Sequence, residues 1–241
     1  MSAALLDVRG LDAWQRDLQV LFDVRLQVPE GGVVALIGAN GAGKSSLMDS
    51  LAGLVRSSGS VTLDGVELQG ASPAAIARAG LALVPEGRRL FPSLSIEENL
   101  RIGAAAGRPG PWTLDEVYEL FPVLREKRHV PSHALSGGQQ QQAAIGRGLM
   151  SNPRVLLCDE ISLGLSPAVV HSIYAQLPAI TAAGTAVVLV EQNTALALAQ
   201  SRYVYCLREG RIVLQGKPDE LGHDAVSAAY FGAPVREAHH A

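Results

Sequence analysis

The apolar positions of this chain fall into short continuous runs separated by turn residues. Four runs, at residues 33–37, 155–157, 186–190 and 204–207, are rich in Val and Leu. Apolar runs of this length are typical of strands buried on both faces, as in a parallel sheet. Helical stretches alternate with the later runs, so the pattern predicts an α/β fold in which crossover helices join parallel strands.

The first eighty or so residues carry a different pattern. Extended segments surround residues 5–8 and 20–28, and residues 61–66 read Val-Thr-Leu-Asp-Gly-Val. An Asp-Gly pair between apolar residues is a strong hairpin signal. This part of the chain is therefore predicted to be rich in β-structure.

A helical insert follows, from Ser95 to about residue 133. Residues 96–100 follow Ser95, which is a good helix N-cap, and residues 114–128 are periodic. Residues 108–111, Arg-Pro-Gly-Pro, separate the two stretches. We therefore expect one helix near residue 96 and another over residues 114–128.

Composition narrows the classes of function. The chain has 241 residues and a formal net charge of -3, so it can bury a large core and gives no general electrostatic reason to bind nucleic acid. Its two cysteines, Cys158 and Cys206, lie in apolar runs and are expected to be reduced thiols. The longest apolar runs are far shorter than the about 20 residues that cross a bilayer, so membrane association would require a partner.

A glycine-rich loop joins the apolar run at residues 33–37 to a predicted helix at residues 46–52. Its glycines allow backbone N–H groups to close around the phosphate oxygens of a nucleotide, and the helix points its positive end at the same anion. Lys44 is predicted to neutralise the β- and γ-phosphates, and Ser45 to hold Mg²⁺. The predicted nucleotide-binding residues of the loop are Gly38, Ala39, Asn40, Gly41, Ala42, Gly43, Lys44, Ser45 and Ser46. The alternative is a structural turn between strand and helix, which the flanking pattern disfavours.

Two adjacent carboxylates end the apolar run at residues 155–157. Asp159 is predicted to contribute to the Mg²⁺ shell, and Glu160 to orient or deprotonate the water that attacks the γ-phosphorus. Their side chains would point to opposite sides of a strand, which keeps the two tasks separate. Without the glycine-rich loop, an exposed acidic strand end would be the preferred interpretation.

A second glycine-rich stretch, Leu-Ser-Gly-Gly-Gln at residues 135–139, opens a predicted helix over residues 139–150. With the phosphate loop before it, this stretch resembles the signature of ATP-binding cassette (ABC) ATPases, and the resemblance covers almost the whole chain. In that family two cassettes form a head-to-tail dimer with two sandwiched ATP molecules. The resemblance implies that a signature set would serve the partner's ATP: Ser136, Gly137, Gly138 and Gln139.

The resemblance also implies the architecture. We expect an α/β P-loop NTPase ABC cassette with a mixed sheet core, an antiparallel β subdomain and a helical subdomain. A single domain would span residues 1–241, with the nucleotide-binding core and β subdomain in residues 1–93 and 140–241. Residues 94–139 would form the helical subdomain, which ends in the signature.

One branch of the family is more similar still: the ATPase subunits of branched-chain amino acid importers. In this branch, Glu86 stands where most ABC ATPases carry a Gln that senses Mg²⁺ and water, and Gln192 stands where most carry a switch His. Glu86 and Gln192 therefore join Glu160 as predicted catalytic residues, and Glu86 joins the predicted Mg²⁺ set of Ser45 and Asp159. The matching segments are residues 84–91, 96–100, 118–122, 162–167 and 190–193.

Three positions depart from the common family pattern. Gln192 cannot become a cation near neutral pH, so its γ-phosphate contact would be a neutral amide. Ile161 replaces the Pro that usually follows the catalytic Glu, and Ser166 replaces an Asp that communicates across the dimer. We interpret these changes as tuning of turnover.

The resemblance also implies that adenine stacks on an aromatic residue early in the chain, and Trp14 is the predicted residue. An ungapped register instead places Gln15 at that position. The alternative role for Trp14 is a partly buried structural aromatic.

The predicted function is that of the ATPase of an importer for branched-chain amino acids or related small polar solutes, with ATP and Mg²⁺ as cofactors. Its expected partners are a second ATPase subunit, identical or related, two transmembrane permease subunits and, indirectly, an extracytoplasmic solute-binding protein. It would lie on the cytoplasmic face of the membrane and bind no nucleic acid. Leu94, Ile96 and Leu100 would line the permease groove or form subdomain core.

One alternative is a soluble ABC-type switch module that acts on nucleic acid or the ribosome. The single cassette, the acidic composition and the absence of a long coiled-coil insertion argue against it. A simple P-loop kinase ranks last, because it gives no reason for the signature stretch.

Overall fold

The computed structural model describes residues 4–232, in which ten strands and ten α-helices are defined. The strands are β1 (Leu6–Gln15), β2 (Leu18–Val28), β3 (Val33–Ile37), β4 (Arg56–Leu63), β5 (Val66–Glu67), β6 (Leu81–Val84), β7 (Val155–Asp159), β8 (Ala186–Glu191), β9 (Tyr203–Arg208) and β10 (Arg211–Gly216). The helices are α1 (Lys44–Leu51), α2 (Pro73–Ala79), α3 (Ile96–Gly103), α4 (Leu114–Leu120), α5 (Pro122–Glu126), α6 (Gly137–Leu149), α7 (Pro167–Tyr174), α8 (Leu177–Ala182), α9 (Thr194–Gln200) and α10 (His223–Phe231). Residues 1–3 and 233–241 of the predicted domain lie outside the described residues.

The larger sheet has six strands in the order β10-β9-β3-β8-β7-β6. Five of its strands run parallel to one another, and these are β3, β6, β7, β8 and β9. Strand β10 pairs antiparallel with β9. Every residue of β3, β7 and β8 is buried, because helices cover both faces of the sheet. The predicted α/β class and the mixed sheet are confirmed. All five parallel strands end at the same edge.

The smaller sheet is antiparallel, with strand order β2-β1-β4-β5. Asp64 and Gly65 join β4 to β5, and both have left-handed backbone angles, with φ of 50° and 75°. This geometry is that of the predicted two-residue hairpin. Leu47 and Leu51 of α1 share one apolar core with residues from both sheets, so α1 packs between them.

Helices α3 to α6 form a second layer of packing beside the larger sheet. The Ser95 hydroxyl accepts a hydrogen bond from the Glu98 N–H, and the Glu98 carboxylate accepts one from the Ser95 N–H. This capping box starts α3 where the sequence predicts it. Ile96 and Leu100 are fully buried in the core of this layer, which favours the core role for these residues.

Two sequence predictions for this layer are wrong in detail. Residues 114–128 form two helices, α4 and α5, because Phe121 precedes Pro122 and leaves the helical region with φ of -132° and ψ of 78°. Helix α6 starts at Gly137, two residues before the predicted start, because Ser136 caps it. The earlier start places the signature residues at the N-cap and first turn of α6.

Cys158 and Cys206 are buried free thiols, as predicted. Burial raises the pKa of Cys206 to about 11 and also raises the pKa of Cys158. Among the described helices, none combines the length and apolar character required to span a bilayer.

The buried Asn99 side chain predicts a large loss of stability on truncation. Its carboxamide accepts from the Phe91 N–H at 2.9 Å and donates to the carbonyls of Phe91, Leu94 and Ser95. Asn99→Ala should lower the free energy of unfolding by about 1 to 3 kcal/mol, because it leaves these groups unpaired. Urea denaturation measures the change. The exposed Arg101→Ala in the same helix is the control, and an equal loss there would contradict the assigned role of Asn99.

Candidate functional site

The predicted phosphate-binding and catalytic segments meet at the carboxyl edge of the larger sheet. The glycine-rich loop follows β3, Glu86 follows β6, Glu160 follows β7 and Gln192 follows β8. They surround a cavity of about 680 Å³, a size that suits a small ligand. The described residues that line it are Gln15, Gln19, Val20, Phe22, Asn40, Gly41, Gly43, Lys44, Ser45, Ser46, Glu86, Glu160, Leu163, Gln192, Glu209 and Gly210.

Glycines give the loop after β3 its shape. Gly41 and Gly43 have left-handed φ angles of 81° and 106°, which favour glycine. A side chain at Gly38 would come within 2.3 Å of the Leu207 carbonyl oxygen. Gly43 is the N-cap of α1 and offers no side-chain acceptor, so the first N–H groups of α1 are available to an anion.

Lys44 lies inside this loop with a side chain only 4% exposed. Its Nζ donates to the carbonyl oxygens of Gly38 at 2.8 Å and Ala39 at 3.2 Å, and lies 3.5 Å from Glu160 Oε1. A buried ammonium needs such partners to offset its desolvation. The contacts hold one positive charge at the floor of the cavity, where phosphate oxygens would bind.

Asp159 is the last residue of β7 and is 5% exposed. Burial raises the pKa of its carboxyl to about 6, and a hydrogen bond with Ser45 acts in the opposite direction. The charges of Glu160, Glu86 and Asp49 raise it further. Several carboxylates thus converge beside the loop.

This convergence fits a divalent cation. Asp159 Oδ1 is buried and has no hydrogen-bond partner among the described residues, and Ser45 is its neighbour. Within residues 4–232 no group of three or more His, Cys, Asp or Glu side chains forms a metal site by itself. Such an arrangement suits Mg²⁺, which uses few carboxylates and takes its other oxygens from water and phosphate.

Glu160 is placed differently from the sequence prediction. Asp159 and Glu160 were expected to alternate along one strand, but β7 ends at Asp159, and Glu160 has a left-handed φ of 50°. Its N–H donates to the Val190 carbonyl at 3.1 Å, and this bond turns the chain at the strand end. A non-glycine residue in this conformation is strained, and such residues cluster at functional sites.

Gln192 holds the Glu160 side chain from the other side. Its Nε2 donates to Glu160 Oε2, while Lys44 faces Glu160 Oε1. Glu86 is exposed and lines the same cavity. The structure therefore brings together the loop and all three predicted catalytic side chains.

The signature residues lie outside this cavity within the described chain. The Ser136 hydroxyl accepts from the Gln139 N–H, and Gln139 Oε1 accepts from the Ser136 N–H, a second capping box. A side chain at Gly138 would meet Val169 at 2.6 Å, and one at Gly137 would meet the Arg88 guanidinium at 3.1 Å. Close packing against Val169 thus favours glycine at position 138, whereas a side chain at position 137 would require the Arg88 guanidinium to shift slightly.

The structure does not place Trp14 at the cavity. The Arg56 guanidinium lies over its ring, 4.8 Å from the centroid, and the cavity is lined by Gln15, whose Nε2 donates to Ser46 Oγ at 2.9 Å. Within the described residues, the aromatic ring that lines the cavity belongs to Phe22. Its ring also contacts Arg211, with 4.8 Å from the guanidinium carbon to the centroid. The available sequence signal was a phenylalanine within the extended segment at residues 20–28.

Glu191 was also missed by the sequence analysis. It is buried, and accepts hydrogen bonds from the Tyr174 hydroxyl and from Ser162 Oγ, the latter at 2.7 Å. Burial raises its pKa. These contacts fix the end of β8, immediately before Gln192, against the segment that follows Glu160.

Comparison with known proteins places the cavity in a family context. Residues 21–162 match the ABC transporter family. The chain is 42% identical over 238 residues to the high-affinity branched-chain amino acid transport ATP-binding protein BraG of Pseudomonas aeruginosa, an alignment that covers 98% of this chain and 99% of that protein. It is 33% identical over 215 residues to the probable branched-chain amino acid transport ATP-binding protein LivF of Archaeoglobus fulgidus, with coverages of 88% and 91%.

Solved structures resemble it over similar lengths. An ATP-binding subunit of an ABC transporter superimposes with a TM-score of 0.77 at 30% identity, covering 90% of this chain and 91% of the other. An ATP-binding cassette of an ABC transporter in its ADP conformation gives a TM-score of 0.79 at 23% identity, with 97% of each chain covered. The second likeness concerns the fold alone.

The raised pKa of Asp159 predicts that its replacement stabilises the protein. Because the folded value of about 6 exceeds the usual 3.8, the folded state binds this proton more tightly than the unfolded state. The contribution of the Asp159 carboxyl to the free energy of unfolding is therefore fully present below about pH 4. It is lost as the pH rises from about 4 to about 6. Asn does not ionise, so Asp159→Asn does not suffer this loss. The free energy of unfolding of the variant should exceed that of the wild type by an amount that grows across that pH window, to at most about 3 kcal/mol.

Urea denaturation without nucleotide or Mg²⁺ at several pH values measures this gain. Exposed Asp17→Asn is the matched control for removing a carboxylate. A gain for Asp159→Asn that falls as pH rises would show that burial does not dominate at this site.

Proposed function

The chain belongs to the ABC transporter family, and on that premise we propose that it is the ATP-hydrolysing subunit of an importer for branched-chain amino acids or related small polar solutes. The supporting observation is the convergence of Lys44, Glu160 and Gln192 on one cavity at the phosphate loop. Asp159 is buried next to Ser45 of that loop. The 42% identity to a branched-chain amino acid transport ATP-binding protein over nearly the whole chain supports the transport assignment. No observation favours a nucleic-acid or ribosomal switch, and the net charge of -3 argues against one.

Phosphate binding follows from the start of α1. The free N–H groups after Gly43 and the buried Lys44 ammonium would surround the β- and γ-phosphates. Ser45, Asp159 and Glu86 would hold Mg²⁺, which neutralises developing charge on the phosphate oxygens. Asn40, Ser46 and Gln15 would contact the rest of the nucleotide. The Phe22 ring, which lines the same cavity, would stack on the base.

Hydrolysis requires a proton acceptor beside the γ-phosphate. Glu160 would orient the attacking water and accept its proton. Lys44 and Gln192 contact different carboxylate oxygens of Glu160, so the side chain is fixed from two sides. Gln192 remains a neutral donor at all physiological pH values.

A second cassette would complete each ATP site. The signature residues Ser136 to Gln139 start α6 outside the cavity, with Ser136 exposed. We therefore place them against the nucleotide of a partner subunit, which is either a second copy or a related ATPase. ATP binding would close the two cassettes and hydrolysis would separate them.

A second cavity, of about 540 Å³, is the proposed permease site. It lies between α2, α3 and α6, and its exposed apolar residues include Leu54, at 52%, and Ile102, at 39%. Exposed apolar side chains in a groove suit an amphipathic helix from a membrane subunit. This assignment replaces Leu94, Ile96 and Leu100 as groove residues. Two permease subunits would hold two cassettes at the cytoplasmic face, with a solute-binding protein acting through the permeases.

Substitution of Lys44 and Glu160 tests the ATPase mechanism. Lys44→Ala should abolish nucleotide binding, because it removes the charge that faces the phosphates. Glu160→Gln should bind ATP yet lose about a hundredfold or more of its turnover, because an amide cannot accept the proton. Equilibrium binding of a fluorescent ATP analogue and phosphate release measure the two properties.

An exposed pair supplies matched controls for these variants. Lys217 Nζ lies 2.9 Å from Glu220 Oε1, away from both cavities. Lys217→Ala and Glu220→Gln should bind and hydrolyse ATP as the wild type does. Normal turnover by Glu160→Gln would refute the base assignment.

A charge placed in the second cavity tests the transporter assignment. Ile102→Glu, expressed in the native host and gently solubilised, should lose the polytopic membrane proteins that copurify with the wild type, because a carboxylate in the groove opposes burial. Val66→Glu is the control: Val66 is 60% exposed but lies on the hairpin strand β5. Nucleotide binding checks that both variants are folded. Recovery of wild type with ribosomal proteins or nucleic acid alone would contradict the importer.

A further inference from the structure

The loop that carries Glu86 has an unusual backbone. Gly87, Arg88 and Arg89 are consecutive left-handed residues, with φ of 75°, 65° and 45°. This region is unfavourable for a long side chain such as arginine. Two strained arginines in a row persist only where the surroundings hold them.

Helix α6 supplies those contacts from its last turn. Arg147 Nη1 donates to the Arg89 carbonyl at 2.7 Å, and Arg147 Nη2 donates to the Arg88 carbonyl at 3.0 Å. The Arg147 guanidinium is thus a bidentate donor to the carbonyls of both strained residues, and its planar shape fixes their relative position.

Arg88 reaches the first turn of the same helix. Its Nη1 donates to Gln140 Oε1 at 2.9 Å, and Gln140 Nε2 donates to the Ser132 carbonyl at 2.9 Å. The Arg88 guanidinium also packs where a side chain at position 137 would stand, 3.1 Å from a Cβ there. Arg88 therefore touches α6 immediately beside the signature residues.

These contacts connect two regions with different roles. Glu86 lines the cavity of its own cassette, whereas Ser136 to Gln139 lie outside that cavity. The loop is tied to α6 near both ends of the helix, at Gln140 and at Arg147. Because α6 is one continuous helix of 13 residues, these contacts connect the loop to the same helix that begins with the signature.

We propose that Arg88 is a positioning residue that couples the Glu86 loop to the signature through Gln140, so that nucleotide in one cassette orients the signature offered to the second. The inference rests on the proposed function, in which the signature serves the partner's ATP. Its chemical basis is a charge-assisted hydrogen bond from a strained loop to a helix N-terminus. Two coupled sites of this kind make ATP hydrolysis cooperative.

A pair of glycine variants separates coupling from strain. Arg88→Gly and Arg89→Gly each relax one left-handed residue and remove one guanidinium, but Arg88→Gly alone breaks the bond to Gln140. We expect Arg88→Gly to lower the Hill coefficient of ATP hydrolysis towards 1 and kcat by about twofold to thirtyfold. Binding of a fluorescent ATP analogue to the monomer should stay within about twofold of wild type, since the loop's own cavity is intact.

Gln140 provides a second, independent test. Gln140→Ala should reproduce the Arg88→Gly effect, and the double variant should be no worse than either single one. Gln140→Glu keeps an acceptor for Arg88 and should restore cooperativity. This rescue would not follow from a purely structural role. The two Gln140 variants also test the proposal if Arg88→Gly does not fold.

Three outcomes would overturn the coupling. They are equal behaviour of Arg88→Gly and Arg89→Gly, additive losses in the double variant, or failure of Gln140→Glu to restore cooperativity. Failure of the proposed dimer is distinguishable, because wild type would then hydrolyse ATP with a Hill coefficient of 1, and Glu160→Gln would form no ATP-dependent dimer. That result overturns both proposals.

Discussion

The alignment of buried parallel strands is the constraint on which the site depends. Strands β3, β7 and β8 are apolar at nearly every position because helices cover both faces of their sheet. Polar side chains of this part of the chain therefore lie at the ends of these strands. Because the strands are parallel, their carboxyl ends lie along the same edge of the sheet. Lys44, Asp159, Glu160 and Gln192 come together at that edge although they are far apart in the chain.

Burial then dictates how these charges are arranged. Lys44 and Glu160 are both largely removed from water, and each would be unstable there without opposite charge or hydrogen bonds. The carbonyls of Gly38 and Ala39 and the amide of Gln192 supply the remaining partners. Among the described residues, Asp159 Oδ1 is therefore the buried polar atom of this site that has no partner within the protein.

The sequence was informative where local chemistry decides structure. The phosphate loop, the buried strands and the Asp64-Gly65 hairpin follow from residue types at short spacing. The role of Trp14 could not be predicted in this way, because the pairing of β1 with β2 shifts register between Ala13 and Trp14, and residue spacing does not reveal such a shift. The Arg88 contact with Gln140 spans 52 residues, and no periodic pattern encodes such a long-range pair. The helix break at Phe121 could have been predicted, because a residue that precedes proline disfavours the helical conformation.

The bare N-terminus of α1 has a consequence for the protein in the cell. Gly43 leaves the first N–H groups of α1 without a side-chain acceptor, so a bound phosphate completes the hydrogen bonding of the helix. Ligand that binds only the folded state stabilises it by mass action, by about 1.4 kcal/mol for each tenfold rise in concentration above Kd. The concentration of nucleotide in the cell would therefore affect how well this chain resists proteolysis, quite apart from its rate of hydrolysis.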